Sequence, residues 1–454
     1  MKVSQPLDQL LEYAASLTYG RLPAVAQDGA RKIFFDTLGV IVGAHRQPIA
    51  VKLAEYLALS AEAGDCTSIC GFRKVGSATA AFTNGAISHD LELDDLHQTS
   101  SLHAAAVMVP AAIAVGEETG ASSEDVFLAL VRGYEVACRL TLMLDPEKVY
   151  FGGFHPTTVC GVVGAAAVAA SLMKLDPSRF RQACYLAMGL MSGIMACKTE
   201  PDHYTKSYQC GIAARNGVVA AQMIRDGYTF SGDAAAVVQA ALQGYAGGAP
   251  LRADAGLGEL GRRFEIVDTG YKLYPCCRHI YPLLDALATI RKTAPVDSRN
   301  CEHMKLNLYA RGAINVGDHS LRTHNARYVM AMALEHGVLK RDFFTEAYGI
   351  EDIRPVMNRI DLIADEALQA EWPAKAPGVV TVTLRDGRKF SERVDHPKGG
   401  VENPARLEEL RDKFSVLVTP VVGEARAAAL AGLLAAPTFA VRDVMRIAGQ
   451  GVSA

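Results

Sequence analysis

The sequence has no long apolar run, no basic cluster and only one tryptophan among its 454 residues. Glycine, serine or a charged residue interrupts each apolar segment before the roughly 18 residues that a membrane helix needs, so no membrane span is expected. The net charge is -3 and no basic stripe alternates with aromatic residues, so no nucleic-acid partner is expected. The N-terminal segment lacks a basic region followed by an apolar one, which predicts no signal peptide and a cytoplasmic location.

Several familiar motifs are also missing. There is no Walker loop, no strand–GxGxxG–helix unit and no GxSxG elbow, which argues against phosphoryl transfer, dinucleotide cofactors and α/β-hydrolase chemistry. Neither HExxH, HxxxH nor EF-hand spacing occurs, and the ten cysteines form no pair of CxxC motifs. We therefore expect reduced thiols, no metal and no cofactor.

The composition and the residue patterns predict a mainly α fold with two parts. Half of the residues are hydrophobic and 21% are charged, which allows a large core. Residues 1 to about 265 have nearly continuous helical texture, and helical texture returns near the C-terminus. Between them, strand patterns at 304–309, 379–384 and 389–394, the last two joined by an Asp-Gly turn, predict a smaller α+β unit. We expect a large all-helical domain of residues 1–267 and 396–454, with residues 268–395 inserted as an α+β lid domain.

The most informative stretch is residues 84–103, NGAISHDLELDDLHQTSSLH. It carries three histidines and four acids between two segments of small apolar residues: His89, His97, His103, Asp90, Glu92, Asp94 and Asp95. One interpretation is a surface connection whose charges are solvated. The other is a site in which helix ends bring acids and histidines into a pocket, because buried charges must pair or bind something. His103 leads directly into the apolar run AAAVMVPAAIAV, which favours the pocket.

Two further residues are predicted at the starts of helices. His155 follows two glycines and precedes an alanine-rich helix, where the backbone can approach an anionic ligand. Lys206 also lies near a helix start, although cations are usually found at helix C-termini. An anion between Lys206 and the helix would explain this position. An incidental helix-capping histidine and a solvated lysine are the alternatives.

The junction of the two predicted domains is rich in groups that bind or titrate. Residues 272–281 read KLYPCCRHIY, and pockets are common at domain junctions. The alternative is a hinge segment with packed aromatic residues and thiols.

Taken together, these blocks resemble the MmgE/PrpD family over nearly the whole chain. The resemblance is carried in order by LPAVAQDGARKIFFDTLGVIVGA, NGAISHDLELDDLH, GFHPTTVCGVVGAAAVAASLMKLD, TKSYQCGIAARNGVVAAQMIRDGYTFSG, YKLYPCCRH and HPKGGVENPARLEELRDKF. The family includes 2-methylcitrate dehydratase, cis-aconitate decarboxylase and iminodisuccinate epimerase. The resemblance implies a helical domain, a smaller lid domain, a homodimer, and a metal-independent site between the domains.

The resemblance also assigns roles to residues. It implies that His103, His155 and Lys206 are catalytic. It implies substrate binding for a second group, which consists of Glu92, Asp94, Asp95 and Cys277. Three positions depart from the common family pattern, and they leave the substrate open more than the reaction class: Leu96, Ala104 and Ser207.

The expected function is a cofactor-independent lyase that acts on a small di- or tricarboxylate. The shared step is proton transfer at a carbon next to a carboxylate, for which a cationic lysine stabilises charge and a histidine carries the proton. Dehydration is the first expectation, and epimerisation and decarboxylation are the alternatives. Two alternatives belong to other functional classes. One is a carboxylate-binding regulatory protein without catalysis, and the other is a structural dimer without a ligand.

Overall fold

The computed structural model of the chain describes residues 5–60, 62–200, 204–229, 234–337 and 350–450. Helices up to the middle of the chain are α1 (Pro6–Ser16), α2 (Ala24–Gly43), α3 (Pro48–Ser60), α4 (Ser77–Ser88), α5 (Ala105–Thr119), α6 (Ser123–Leu144), α7 (Pro146–Phe151), α8 (Pro156–Leu172), α9 (Pro177–Met188), α10 (Tyr204–Arg225), α11 (Ala234–Leu242) and α12 (Ala253–Leu257). The later helices are α13 (Tyr281–Thr293), α14 (Ala310–Asn315), α15 (Ala326–His336), α16 (Ile350–Met357), α17 (Glu366–Gln369), α18 (Leu407–Val422), α19 (Glu424–Ala435) and α20 (Val441–Ala448). The strands are β1 (Ala63–Ser68), β2 (Arg73–Val75), β3 (Asp95–His97), β4 (Thr269–Tyr271), β5 (Cys301–Tyr309), β6 (Ile360–Asp365), β7 (Gly378–Leu384) and β8 (Lys389–Val394).

The predicted mainly helical fold is confirmed. Its centre is a group of helices made largely of small residues, in which α10 packs on α4 and α8, and α8 also packs on α5 and α6. Gly85 of α4 and Gly211 of α10 face each other, and a Cβ on Gly85 would lie 3.0 Å from the Gly211 Cα. The two helices approach this closely because neither carries a side chain at the contact.

The large helical part differs from the prediction in one respect, because it contains short strands. β1 pairs with β2, and β3 pairs with β4, each in an antiparallel arrangement. The β3–β4 pair joins segments that lie more than 170 residues apart in the sequence. A three-residue strand has too few residues to show the alternating pattern by which strands are recognised, and its partner here is remote.

The predicted α+β unit contains a four-stranded mixed sheet in the order β6-β5-β7-β8. The turn of the β7–β8 hairpin lies at Asp386 and Gly387, as predicted, and Gly387 has a φ of 85°. β5 and β6 are parallel, so the chain between them crosses over through helices that include α14 and α15.

The C-terminal helices return to the large helical part. α18 packs on α2, and Lys413 of α18 donates to Asp36 Oδ2 at 2.9 Å and to the main-chain oxygen of Leu93 at 2.5 Å. Lys413 thereby ties the last part of the chain to the acidic stretch.

The buried apolar residues form two separate clusters. One runs from Leu7 to Tyr271 and resumes from Ala405 to Ala448, and the other lies between Cys276 and Leu384. On the basis of these two cores we propose the predicted domain boundaries at 267/268 and 395/396. Among the described helices, none combines the length and the apolar character that a bilayer crossing requires.

We predict that Gly211→Ala separates α4 from α10 and destabilises the protein. The new methyl group would clash with the main-chain oxygen of Phe82 and lie 2.9 Å from the amide nitrogen of Ala86. We expect a loss of about 1–3 kcal/mol in the free energy of unfolding, measured by denaturant titration. Gly432→Ala is the matched control, because Gly432 is an exposed residue of α19 and its Cβ would meet nothing within 4 Å. Equal stability of the two variants would contradict the close approach.

Candidate active site

Three histidines from three helix ends meet at one place. His89 follows α4, His103 lies two residues before α5, and His155 directly precedes α8. The ring centres of His89 and His103 are 4.8 Å apart, and those of His89 and His155 are 5.7 Å apart. The helix packing described above explains this meeting, since α5 contacts both α4 and α8.

His103 is held in one tautomer by its surroundings. Its Nδ1 lies 2.6 Å from the main-chain oxygen of Asp95 and 2.9 Å from Asp94 Oδ2. A carbonyl oxygen can only accept a hydrogen bond, so Nδ1 must carry the hydrogen. Nε2 is therefore the ring nitrogen that remains for a ligand, and the His103 ring lines the cavity described below.

Asp94 links two of the three histidines. Its Oδ2 accepts from His89 Nδ1 at 2.6 Å as well as from His103, and its Oδ1 accepts from Lys272 Nζ at 3.1 Å. Burial alone would raise the pKa of Asp94, but these neighbouring groups lower it well below its usual value. Asp94 is therefore an ionised, fully buried carboxylate that orients both imidazoles.

Two buried lysines share the carboxylate of Glu92. Lys206, in the first turn of α10, donates to Glu92 Oε1, and Lys272 donates to Glu92 Oε2 at 2.7 Å. Burial opposes a charge on Lys272, but Asp94 and Glu92 outweigh it and raise the pKa of Lys272 above its usual value. Glu92 has a φ of 52°, in the left-handed region that residues other than glycine rarely adopt. Both ammonium groups contact the carboxylate of Glu92 in this conformation.

The β3–β4 register explains how Lys272 reaches the acidic stretch. Asp95 pairs with Tyr271, Leu96 with Gly270 and His97 with Thr269. One step further in the same register, Asp94 stands opposite Lys272, and their side chains form the ion pair described above. The first residue of the KLYPCCRHIY segment is thus placed by strand pairing.

Asp94 and Asp95, for which the family resemblance implies substrate binding, lie behind the cavity wall. Asp95 Oδ1 accepts from the amide of Ala105 at 3.0 Å, and Oδ2 accepts from the Tyr134 hydroxyl at 2.7 Å. Burial and the charge of Asp94 raise the pKa of Asp95 to about 8. The substrate-binding role of both acids stays a prediction, and their contacts favour orientation of His103 and Lys272.

The third histidine of the acidic stretch points elsewhere. His97 is fully buried, its Nδ1 lies 2.7 Å from Ser100 Oγ, and its Nε2 lies 3.1 Å from Glu265 Oε2. Glu265 also pairs with Arg139 of α6 at 3.1 Å. His97 thus belongs to a buried network that fixes the segment before β4.

The candidate active site is a cavity between the helical part and the sheet-containing part. Its volume is about 170 Å³, well below the several hundred Å³ typical of sites for drug-sized ligands. One end holds the predicted residues Glu92, His103, His155, Lys206 and Cys277, together with Lys272. The rest of the wall includes Leu96, Tyr150, Phe151, Arg278, His279, Tyr309, Arg311, Asn315 and Trp372. A cavity of this size and polarity suits a small anion.

Cys277 lines this cavity without the character of a reactive thiol. Burial and the nearby Glu92 carboxylate raise its pKa to about 11. The thiol is therefore neutral at neutral pH, and its predicted role as a substrate contact stays a prediction.

The prediction of site residues omitted His89 and Lys272. His89 belongs to the acid–histidine stretch, so its composition was a signal, but nothing in the stretch separates His89 from the buried His97. Lys272 opens the junction segment, but only the β3–β4 pairing brings it to Asp94.

The charges at the inner end of the cavity balance before any ligand binds. Lys206 and Lys272 carry two positive charges, and Glu92 and Asp94 carry two negative charges. Burial lowers the pKa of His89 to about 4, and burial together with neighbouring cations lowers those of His103 and His155. Neutral imidazoles can accept a proton, and the two ammonium groups can bind an anion.

Within the described residues, His89, Asp94 and His103 form a group that could hold a metal ion, with one ligand atom of each within 4.8 Å of the others. Their Nδ1 atoms and the carboxylate are already joined by hydrogen bonds, and Lys272 places a positive charge on Asp94. A metal ion would have to displace these contacts and bind beside that charge. The donor set therefore fits a hydrogen-bonded proton-transfer group better than a metal centre.

We predict that His89 makes stability depend on pH below 6.5. The unfolded chain protonates this histidine near 6.5, whereas the folded protein resists until about 4, so the free energy of unfolding falls as the pH drops through this window. His89→Gln should reduce the fall by on the order of a few kcal/mol, measured by denaturant titration at pH 7 and pH 4.5. His303→Gln, at an exposed ion pair with Asp361, is the control that should keep the wild-type dependence. An unchanged dependence in His89→Gln would contradict the assignment.

We also predict that metal removal has no effect. Prolonged dialysis against EDTA should leave both the melting temperature and the activity unchanged, because the donor atoms are hydrogen-bonded to one another. A loss that a single divalent ion restores would show that His89, Asp94 and His103 bind a metal instead.

Comparison with known proteins identifies the family of the chain. The sequence profile of the MmgE/PrpD N-terminal domain matches residues 8–253, and that of the MmgE/PrpD C-terminal domain matches residues 274–435. A cis-aconitate decarboxylase-like protein, oryM, of Aspergillus oryzae is 25% identical over 446 residues, which cover 92% of this chain and 91% of that protein. The cis-aconitate decarboxylase of Aspergillus terreus is 23% identical over 447 residues, covering 92% and 90%. Human cis-aconitate decarboxylase is 25% identical over 356 residues, covering 74% and 71%.

The N-terminal profile alone spans more than half of the chain, and Lys272 lies in the short segment between the two matches. The resemblance found in the sequence blocks is thereby confirmed. The chain belongs to the MmgE/PrpD family.

Proposed function

We propose that this protein is a cofactor-independent lyase that acts on a small di- or tricarboxylate by proton transfer at a carbon next to a carboxylate. The observation that carries the proposal is the position of His103 Nδ1, which lies within hydrogen-bond distance of the main-chain oxygen of Asp95 and of Asp94 Oδ2 and must therefore carry the hydrogen. Because Asp94 and the main-chain oxygen of Asp95 hold this hydrogen, Nε2 carries none at rest, and it can take a proton on the cavity side and then pass it on. His103 is thus the proposed proton carrier.

Lys206 and Lys272 are the proposed binding groups for the substrate carboxylate. Both ammonium groups donate to Glu92, and a carboxylate that enters the cavity can share these donors. Negative charge that develops on the substrate during proton transfer is stabilised by the same two cations.

Decarboxylation is the reaction that we propose first, because the relatives named above are cis-aconitate decarboxylases or resemble one. In this reaction the bond between a carbon and its carboxylate breaks, and the electron pair moves into the neighbouring conjugated carbons. Because His103 rests neutral, its Nε2 first takes a proton from solvent. The resulting imidazolium delivers this proton to the carbon that receives the electron pair, and His103 returns to its neutral form. One CO2 leaves and one proton is taken up per turnover.

Dehydration, the first expectation from the sequence, is the second candidate, and His155 favours it. A dehydratase needs a base for the hydrogen on carbon and an acid for the departing hydroxyl group. His155 lines the same cavity as His103, and its buried Nδ1 has no hydrogen-bond partner among the described residues. Two imidazoles in one cavity can divide these tasks, and an epimerase would need the same pair on opposite faces of the substrate.

The homodimer and the regulatory protein, both expected from the sequence, remain proposals beside the lyase. The homodimer that the family resemblance implies stays a prediction. A carboxylate-binding regulatory protein without catalysis would use the same two lysines, but it would have no need for the tautomer in which His103 is held.

We predict that His103→Gln lowers the rate of the chemical step by roughly a hundredfold or more, because glutamine cannot carry the proton. The assay incubates the protein with cis-aconitate and, separately, with 2-methylcitrate in deuterated water and follows the products by NMR. Decarboxylation should place one deuterium on carbon in the product, whereas dehydration should release the hydroxyl group and leave all carboxylates in place. His303→Gln should keep the wild-type rate.

Circular dichroism checks that His103→Gln remains folded. A folded His103→Gln variant with a wild-type rate would remove His103 from the mechanism. A wild-type protein that binds carboxylates but exchanges no deuterium and forms no product would support the regulatory alternative.

A further inference from the structure

The outer part of the cavity contains an arginine that the proposed chemistry does not use. Arg311 is the second residue of α14, and its NH1 lies 2.7 Å from Glu147 Oε1. Its guanidinium carbon lies 4.2 Å from the centre of the Phe151 ring. Glu147 and Phe151 both belong to α7, and all three residues line the cavity.

The two partners of this ion pair are held unequally. The Arg311 side chain is 27% exposed, whereas the Glu147 side chain is 63% exposed. Arg311 stacks on Phe151, which fixes the guanidinium through a cation–π contact. Glu147 can exchange its partner for water at little cost, because exposed ion pairs contribute little stability. An incoming anion would therefore displace Glu147 and leave Arg311 in place.

A second carboxylate on the substrate needs a cation beyond the inner end of the cavity. At the inner end, the positive charges of Lys206 and Lys272 are already balanced by the negative charges of Glu92 and Asp94. One incoming carboxylate uses the hydrogen-bond donors that these two lysines can share. The other arginine of the cavity wall is committed elsewhere. Arg278 donates to the main-chain oxygens of Pro397 and Lys398, and it stacks on the Tyr281 ring at 4.6 Å.

We infer that Arg311 binds the second carboxylate of the substrate and that Glu147 occupies Arg311 until the substrate displaces it. The inference rests on the proposed function, since it assumes that the first carboxylate binds at Lys206 and Lys272. A guanidinium group offers two parallel N–H donors that match a carboxylate, which a single ammonium group does not. Arg311 is then a specificity-determining residue that selects diacids over otherwise similar monoacids.

Two substitutions at this ion pair should act in opposite directions. Arg311→Gln should weaken the binding of glutarate roughly tenfold or more, and it should leave the binding of the monoamide of glutarate unchanged. Glu147→Gln should strengthen glutarate binding by roughly two- to tenfold, because a competing carboxylate is removed. An ion pair that serves only to hold α14 against α7 would be lost in both variants, and both would then change binding in the same direction.

Binding can be read from the only tryptophan of the chain, Trp372, which lines the cavity, and checked by calorimetry. The probes are glutarate, its monoamide and cis-aconitate. Arg354→Gln, which removes an exposed pair with Glu351 on α16, is the control that should bind all three as the wild type does.

The outcomes separate this inference from the proposed function. If Arg311→Gln binds glutarate like the wild type, or if Glu147→Gln weakens glutarate binding as Arg311→Gln does, the inference is overturned and the proposed function stands. If neither glutarate nor cis-aconitate binds to the wild type in either measurement, the proposed function fails, and the inference fails with it.

Discussion

The site depends on two buried ammonium groups that share one carboxylate. Lys206 and Lys272 are 6% and 1% exposed, and both donate to Glu92. Removing one partner of such a buried group is strongly destabilising, typically by about 3–5 kcal/mol, because a charge is left without compensation. Glu92 must therefore be ionised and present at this point, even in a backbone conformation that residues other than glycine rarely adopt. The elements around Glu92 satisfy this requirement, because they bring both lysines to its carboxylate.

Each element contributes one charge or one constraint. α10 supplies Lys206, the β3–β4 pair brings Lys272 opposite Asp94, and Lys413 of α18 fastens the acidic stretch at Leu93. The result is an inner end with balanced charge, neutral histidines and ammonium donors that an anion can share. This arrangement connects the packing of the helical part to the chemistry that we propose, because the groups that stabilise the buried site are also those that would bind a carboxylate.

The sequence predicted the broad architecture and part of the site for identifiable physical reasons. Long helices and the Asp386-Gly387 hairpin have local signals, namely apolar spacing and turn chemistry, and the structure confirms them. The helix-start position of His155 was likewise local, and α8 begins at the next residue. Lys272 was not selected as a site residue, because its position depends on the pairing of two three-residue strands far apart in the chain. His89 could not be separated from His97, since only packing decides which histidine faces Asp94 and which faces Glu265.

The central claim is that His103 rests as the tautomer with hydrogen on Nδ1, and nitrogen NMR of histidine tests this most directly. In protein labelled with ¹⁵N at its histidines, the signals of His103 are identified by their loss in His103→Gln. We predict a protonated Nδ1 and an unprotonated Nε2 at pH 7.5, and a shift of the Nε2 signal when cis-aconitate binds. A resting His103 with its hydrogen on Nε2, or a His103 whose signals do not respond to any carboxylate, would contradict the account.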